Sequence, residues 1–249
     1  MDVRLMTNKT NNLSLYKSFP CEKTAILTMN RIEMKYVLTK EQLDYLKSAL
    51  SCHMQIDQYG KTTIASLYYD TPDYRLIRTS IEKPEYKEKI RLRSYGLASN
   101  NSTVYLELKR KVSGIVYKRR IALKENDVSS IIDYQKSTDN QIGKEIAYFT
   151  NYYQNLMPAF LIIYDRVAYF DPNSDLRLTI DENPRYRVDH LDLHTSLDGK
   201  ALLDNGQAIL EIKVQGAMPL WLTSILSRKM IYQTSFSKVG EAYKKERKH

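Results

Sequence analysis

The chain has 249 residues, 43% of them hydrophobic, which allows one large domain with a sizeable core. Its 38 Lys and Arg outnumber 29 Asp and Glu, and the net charge of +9 favours an anionic partner such as nucleotide, polyphosphate, nucleic acid or an anionic membrane. The best apolar run, Ala159–Ile163, is too short to span a bilayer, and the N-terminus lacks the apolar stretch of a signal peptide. We therefore expect a cytoplasmic protein.

In chain order, residues 1–28 are rich in Asn, Thr, Ser and Lys, which predicts a loosely ordered leader. A domain is expected over 29–246, with a basic tail at 247–249. Alternation of period two predicts eight strands, at 30–38, 61–69, 87–95, 103–111, 115–123, 159–170, 175–182 and 207–214. Helical spacing predicts helices at 40–51, 141–155 and 218–230, with Thr39 and Gln42 forming a capping box at the first. Ser113-Gly114 predicts a tight turn, and 181–206 a long connection.

Charged residues occupy alternate positions in these strands and share one face of each. The faces carry Arg31, Glu33 and Lys35; Lys89, Arg91 and Arg93; Glu107 and Lys109; Lys118 and Arg120; Arg166; Arg177 and Asp181; and Glu211 and Lys213. A solvent-facing sheet is the ordinary alternative. Because the pattern recurs on seven strands whose apolar faces helices could cover, we predict an α+β fold, an eight-stranded antiparallel β-barrel tunnel with helices packed outside.

Cations inside a tunnel require anions, because unpaired buried charges are costly. A phosphate chain meets that need, since each phosphate offers several acceptors to Arg and Lys. Glu33 and Glu211 are predicted ligands for Mn²⁺ or Mg²⁺, which often use one or two carboxylates plus phosphate oxygens. Glu107 and Asp181 are either counter-charges or further metal ligands.

Other chemistries lack support in the sequence. Gly60-Lys61-Thr62 ends like a P-loop, but Gln55 stands in place of its first glycine and a strand follows. His190 and His194 lie in a predicted loop without the Glu of a zinc-protease motif. There is no nucleophile elbow, and Cys21 and Cys52 have no metal-type spacing.

Eight stretches occur in the order found in a known family. They are Arg31–Tyr36, Ser66–Thr71, Lys89–Arg93, Tyr105–Lys109, Tyr164–Tyr169, Leu176–Asp181, Ile209–Lys213 and Ser235–Lys238. Together they resemble the VTC domain, the polyphosphate polymerase module of the vacuolar transporter chaperone complex, within the triphosphate tunnel metalloenzyme (CYTH-like) superfamily.

The resemblance implies an ATP-dependent polyphosphate polymerase, a phosphotransferase that moves the γ-phosphate of ATP to a growing chain with Mn²⁺ or Mg²⁺. Its implied phosphate-gripping residues are Lys35, Arg91, Arg93, Lys109, Arg166, Lys213 and Lys238, with Arg31, Lys89, Lys118, Arg120 and Arg177 as secondary contacts. Glu211 is the implied principal metal ligand. Arg31 replaces the first acid that hydrolytic members carry, which favours a polymerase.

Two other functions stay open at this point. The same tunnel could belong to a tripolyphosphate or nucleoside triphosphate hydrolase, or to a non-catalytic binder of polyphosphate or RNA. ATP and polyphosphate are the expected ligands, nucleic acid is not an expected partner, and a separate membrane protein is a candidate partner.

Overall fold

The computed structural model describes residues 32–113, 115–132 and 141–248. Its strands are β1 (Ile32–Leu38), β2 (Gln55–Asp70), β3 (Tyr86–Tyr95), β4 (Thr103–Val112), β5 (Ile115–Lys124), β6 (Met157–Phe170), β7 (Arg177–Arg187), β8 (Lys200–Ala201) and β9 (Ala208–Val214). Its helices are α1 (Lys40–Leu50), α2 (Arg75–Glu82), α3 (Val128–Ile132), α4 (Gln141–Tyr153), α5 (Leu220–Arg228) and α6 (Lys238–Glu246), with a 3₁₀ turn at Glu125–Asp127. The predicted leader at 1–28, Arg31 and Gly114 lie outside the described residues.

One antiparallel sheet organises the molecule, in the order β1-β9-β7-β6-β2-β3-β4-β5, with the two-residue β8 beside β7. All eight predicted strands are present, and the α+β fold class is confirmed. Among the described residues, each strand in this order hydrogen-bonds to the next. Within the same residues, the two end strands, β1 and β5, do not pair with each other. Side chains approach across the charged face, where Lys109 Nζ on β4 lies 3.9 Å from Glu33 Oε2 on β1. The charged face is therefore the concave one.

Two groups of helices cover the apolar face of the sheet. Helices α1 and α5 pack on β1, β9 and β7 around Leu38, Leu46 and Leu222. Helices α3 and α4 pack on β2, β3 and β4, with Phe149 of α4 in the core. The capping box of α1 is confirmed. Thr39 Oγ1 accepts from the backbone N–H of Gln42, and the Gln42 side-chain oxygen accepts from the backbone N–H of Thr39.

Helix α6, which the sequence pattern did not predict, packs on the other face. Helix α2, also not predicted, contributes Leu76 to the core under α4 and Ile77 to the cluster on the other face. Leu67 of β2 belongs to the core under α4, whereas its neighbour Tyr68 belongs to a cluster with Val239 of α6 and Ile77 of α2. Because successive strand residues point to opposite faces, α6 lies on the charged side of the sheet. The structure thus corrects one expectation: not every described helix packs outside, because α6 covers one end of the concave face and α2 contacts both clusters.

Two strands are longer than predicted. Strand β2 begins at Gln55 and continues past a register shift between Ile56 and Lys61. Strand β7 continues to Arg187, through part of the predicted long connection, after a register shift opposite Ile163 and Asp165 of β6. Asn183, within this irregular part of β7, has φ +47°, a conformation that Asn tolerates better than most residues. Bulges of this kind were not visible in the period-two pattern.

Candidate functional site

Strand register brings the predicted charged residues together on the concave face. Lys35 of β1 pairs with Glu211 of β9, and Arg91 of β3 pairs with Glu107 of β4. These pairs alternate with buried apolar side chains that point the other way, as the sequence pattern predicts. The described face includes Lys35, Lys89, Arg91, Arg93, Lys109, Lys118, Arg120, Arg166, Arg177, Lys213 and Lys238, with Glu33, Glu107, Asp181 and Glu211.

Glu107 is the centre of the first charge cluster, and it is almost fully buried, with 1% of its surface exposed. Arg91 contacts its Oε2 through Nε and Nη2, both at 2.8 Å, and Lys118 Nζ lies 2.8 Å from its Oε1. Arg93 and Arg120 approach to 3.7 Å. Burial raises the pKa of Glu107, but these cations, chiefly Arg91 and Arg93, outweigh burial and lower the pKa to about 2.

Asp181 is the centre of a second cluster, on β7. Arg166 of β6 binds it in a bidentate manner, with Nε 2.6 Å from Oδ1 and Nη2 2.8 Å from Oδ2. Lys238, the first residue of α6, also donates to Oδ2. Burial raises the pKa of Asp181, but Lys238 and Arg166 together hold it below its usual range. Helix α6 thus brings to the sheet Lys238, which the family resemblance implies as a phosphate-binding residue.

Glu33 and Glu211 form a third cluster with lysines. Lys35 Nζ lies 3.2 Å from Glu33 and 3.8 Å from Glu211, and Lys213 Nζ lies 2.6 Å from Glu211. Burial raises the pKa of Glu211, but Lys213 and Lys35 lower it well below its usual range. Burial and the Glu211 carboxylate raise the pKa of Glu33, and the surrounding lysines, Lys109 first, more than offset them. The two carboxylates therefore stay ionised close to each other.

Of the other secondary candidates, Lys89, Arg120 and Arg177 lie on the same face. Lys89 Nζ donates to Ser237 Oγ at 2.9 Å, and burial lowers the pKa of Lys89 to about 8. The Arg120 guanidinium stacks 3.5 Å from the Tyr105 ring centroid, and that of Arg177 lies 5.0 Å from the Phe170 ring. Arg31 falls outside the described residues, so its contacts are not part of the site described.

Hydroxyl groups also line the site, and sequence reasoning assigned them no role. Tyr68 Oη accepts from Arg91 Nη1 at 2.8 Å. Arg93 donates to Ser66 Oγ and to Tyr164 Oη, both at 3.3 Å. Period-two parity places Tyr68, Ser66 and Tyr164 on the charged face, and that parity was the signal available in the sequence. It was hard to recognise in a chain with twenty tyrosines.

The sequence matches the VTC domain family over residues 30–246, most of the chain. The chain belongs to the VTC-domain family. No curated protein sequence matches it. The family that the eight ordered stretches resemble is thereby confirmed.

Three solved structures are similar to this VTC domain at low sequence identity. A candidate adenylate cyclase from Bacillus halodurans is 14% identical, with a TM-score of 0.52 over 84% of this chain and 96% of that chain. One from Vibrio parahaemolyticus is 11% identical, with a TM-score of 0.49 over 86% and 97%. A candidate adenylyl cyclase from Hippeastrum, described as having a dominant triphosphatase activity, is 16% identical, with a TM-score of 0.49 over 84% and 93%. The Bacillus halodurans protein supports the fold assignment.

The carboxylates of this VTC domain differ in how readily they could coordinate a divalent metal ion. The described residues contain no cluster of three or more His, Cys, Asp or Glu that could hold a metal alone. Mg²⁺ and Mn²⁺ nevertheless bind through one or two carboxylates when phosphate and water complete the shell. Glu33 and Glu211, ionised and mutually repelling, fit that demand. Glu107 and Asp181 are already enclosed by Arg and Lys.

None of the helices described is both long and apolar enough to cross a membrane.

Proposed function

We propose that this VTC domain is an ATP-dependent polyphosphate polymerase, a phosphotransferase that moves the γ-phosphate of ATP to a growing polyphosphate chain. The observation that carries the proposal is the concave face itself, whose named side chains include seven more cations than carboxylates. Phosphoryl transfer needs little covalent work from protein, so binding, alignment and charge neutralisation can supply the catalysis.

Each charge cluster has a role in the proposal. Arg91, Arg93, Lys109 and Lys118 on β3, β4 and β5 bind one part of the phosphate chain, and Lys35, Arg166, Lys213 and Lys238 bind the other. Glu107 and Asp181 are counter-charges that hold Arg91 and Arg166 in position, because their oxygens already accept from cations. Charge-assisted bonds to phosphate oxygens are stronger than neutral ones and are directional for arginine.

Glu211 and Glu33 would hold Mn²⁺ or Mg²⁺, with Glu211 as the principal ligand. The ion, when bound, acts as a Lewis acid that neutralises charge on the phosphate oxygens. Lys35 and Lys213 contact the same carboxylates and keep them ionised and oriented. ATP and polyphosphate are the proposed ligands. A separate membrane partner and a cytoplasmic location stay predictions.

The decisive experiment incubates purified protein with ATP and Mn²⁺ and resolves the products on a polyphosphate gel. We expect ADP and an acid-insoluble phosphate chain. Glu211→Ala is expected to abolish turnover while retaining part of the affinity for tripolyphosphate, and Arg91→Ala to weaken both. Glu41→Ala, at an exposed position of α1, is the matched control and should behave as wild type.

The same assay separates the alternative functions. Orthophosphate without polymer would indicate a hydrolase, and intact ATP with metal-independent binding would indicate a non-catalytic binder. Full turnover in Glu211→Ala would remove the metal assignment. Arg31, the departure from the hydrolytic pattern, is the sequence feature that favours the polymerase over the hydrolase.

A further inference from the structure

Tyr68 joins the apolar and the charged parts of the concave face. Its side chain is only 8% exposed and belongs to the cluster that includes Phe160 of β6 and Val239 of α6. Its phenolic oxygen points away from that cluster to the arginines, where it accepts from Arg91 Nη1 at 2.8 Å. The Arg91 guanidinium also lies 5.7 Å from the centroid of the Tyr68 ring.

The charges that act most strongly on the Tyr68 oxygen are cations, and the carboxylate beside them on this face is Glu107, which contacts Arg91 from the other side. Arg91, Lys89 and Arg93 act from β3, and Lys35 acts from β1. The helices α2 and α6 contribute Ile77 and Val239, which are apolar. Burial raises the pKa of the Tyr68 phenol, but Arg91, Lys89 and Arg93 outweigh burial and lower it to about 7.

Arg91 depends on two acceptors in this arrangement. Its Nε and Nη2 contact Glu107, while Nη1 contacts Tyr68, so both sides of the planar guanidinium are fixed. Glu107 is shared with Lys118 and lies near Arg93 and Arg120. The single negative charge of Glu107 therefore cannot balance the cations around it. A negative charge on the Tyr68 oxygen, beside Arg91, would reduce the excess of positive charge.

We propose that Tyr68 is a positioning residue of the phosphate site: its phenolic oxygen holds Arg91 and takes up a proton when a phosphate chain enters. The inference rests on the proposed function only for the identity of the entering anion. When phosphate oxygens bind Arg91, Arg93 and Lys89, those cations stabilise the phenolate less. The oxygen then takes a proton from solvent, an O–H bond forms, and the neutral phenol can donate to a phosphate oxygen.

The test records near-ultraviolet tyrosinate absorbance against pH on the full chain. Ordinary tyrosines titrate at about pH 10. We expect one tyrosine of the wild-type protein to titrate with a midpoint of about 7, and Tyr68→Phe to lack that step. Tyr232→Phe, at a side chain that is 76% exposed, is the matched control and should keep it.

The second measurement adds inorganic tripolyphosphate at neutral pH, with binding followed by calorimetry in the same sample. Tyrosinate absorbance should fall in wild type and Tyr232→Phe, and stay constant in Tyr68→Phe. Proton uptake, measured by calorimetry in buffers of different ionisation enthalpy, should be smaller in Tyr68→Phe than in wild type; Lys89 accounts for the part that persists.

Measurements on the wild-type protein alone can overturn the inference, so the test does not require Tyr68→Phe to fold. The inference is wrong if no tyrosine of the wild-type protein titrates near neutral pH. It is also wrong if tyrosinate absorbance stays unchanged while calorimetry records tripolyphosphate binding. Neither measurement uses ATP turnover. An active polymerase without the step would contradict the role of Tyr68 alone, and an inactive protein with the step would contradict the polymerase alone.

Discussion

At the scale of single residues, Glu107 decides whether the cationic wall is stable without ligand. It is buried, and its two oxygens contact Arg91 and Lys118 at 2.8 Å. Desolvating several like charges beside one another is unfavourable, and one ionised carboxylate among them offsets much of that cost. The residue therefore links the stability of the fold to the capacity of the site for phosphate.

Replacing Glu107 by Gln should destabilise the protein by about 3 kcal/mol at neutral pH, because it leaves Arg91, Arg93 and Lys118 around a neutral amide. Urea unfolding measures the loss. Tripolyphosphate should restore most of it by supplying the missing negative charge. Glu41→Gln, on the surface of α1, is the matched control, and a loss as small as in that variant would contradict the role given to Glu107.

The stabilisation from Glu107 should also depend on pH. Its pKa is lowered to about 2 in the folded protein, so the unfolded chain binds the proton first as pH falls. The contribution is complete above the ordinary pKa of glutamate, and it is lost as pH falls towards 2. The difference in unfolding free energy between wild type and Glu107→Gln should be constant above about pH 5 and shrink below it. A difference that grows on acidification would contradict the assignment.

The alternation of charges predicts which residues face the tunnel, but not how they pair. The sequence favours Glu33 and Glu211 as metal ligands and leaves Glu107 and Asp181 as either counter-charges or further ligands. Strand register and burial distinguish them, because Glu107 lies among four cations whereas Glu33 and Glu211 lie near each other. Such pairing depends on contacts between distant strands, which no local pattern contains.

At the scale of secondary structure, α2 shows why short helices escape prediction. Its first flanking residue, Tyr74, has φ +58° and gives no side-chain cap. The cap comes instead from Asp70 at the end of β2, whose carboxylate accepts from the backbone N–H groups of Thr71, Leu76 and Ile77, each at 2.8 Å. Helix α6 escaped because Lys and Glu dominate it, and only a narrow apolar side with Val239 and Ala242 is buried.

Asp70→Ala should destabilise the protein by roughly 3–5 kcal/mol, because three N–H groups lose a buried charged acceptor. Urea unfolding provides the measurement. Thr39→Ala, which removes the cap of α1, should cost only about 1 kcal/mol. Equal losses of unfolding free energy in the two variants would show that Asp70 is not the main cap of α2. Because α2 packs beside α6 in the same cluster, we expect Asp70→Ala to weaken phosphate binding through Lys238 as well.

At the scale of the whole molecule, the sheet and its charges form one system. The predicted strands follow a period of two, since one face packs under the helices and the other, charged on seven strands and lined by Ser66 and Tyr68 on β2, faces the tunnel. Across the concave face, Lys109 of β4 approaches Glu33 of the first strand, and the Thr234 backbone N–H donates to the Lys35 carbonyl at 2.7 Å. The curvature that brings these groups together could not be read from the strands one by one.

Tripolyphosphate should therefore stabilise the entire fold. A ligand that binds only the folded state adds about 2.7 kcal/mol at about 100 times its Kd, which for a chain of this size raises Tm by roughly 5–10 °C. Thermal unfolding with and without tripolyphosphate measures the shift. Sulfate at equal ionic strength is the control, because it screens surface charges but cannot span the separate clusters around Glu107 and Glu211. The shift should be reduced in Arg91→Ala, and an equal shift with sulfate would mean that the cations act as a diffuse surface charge.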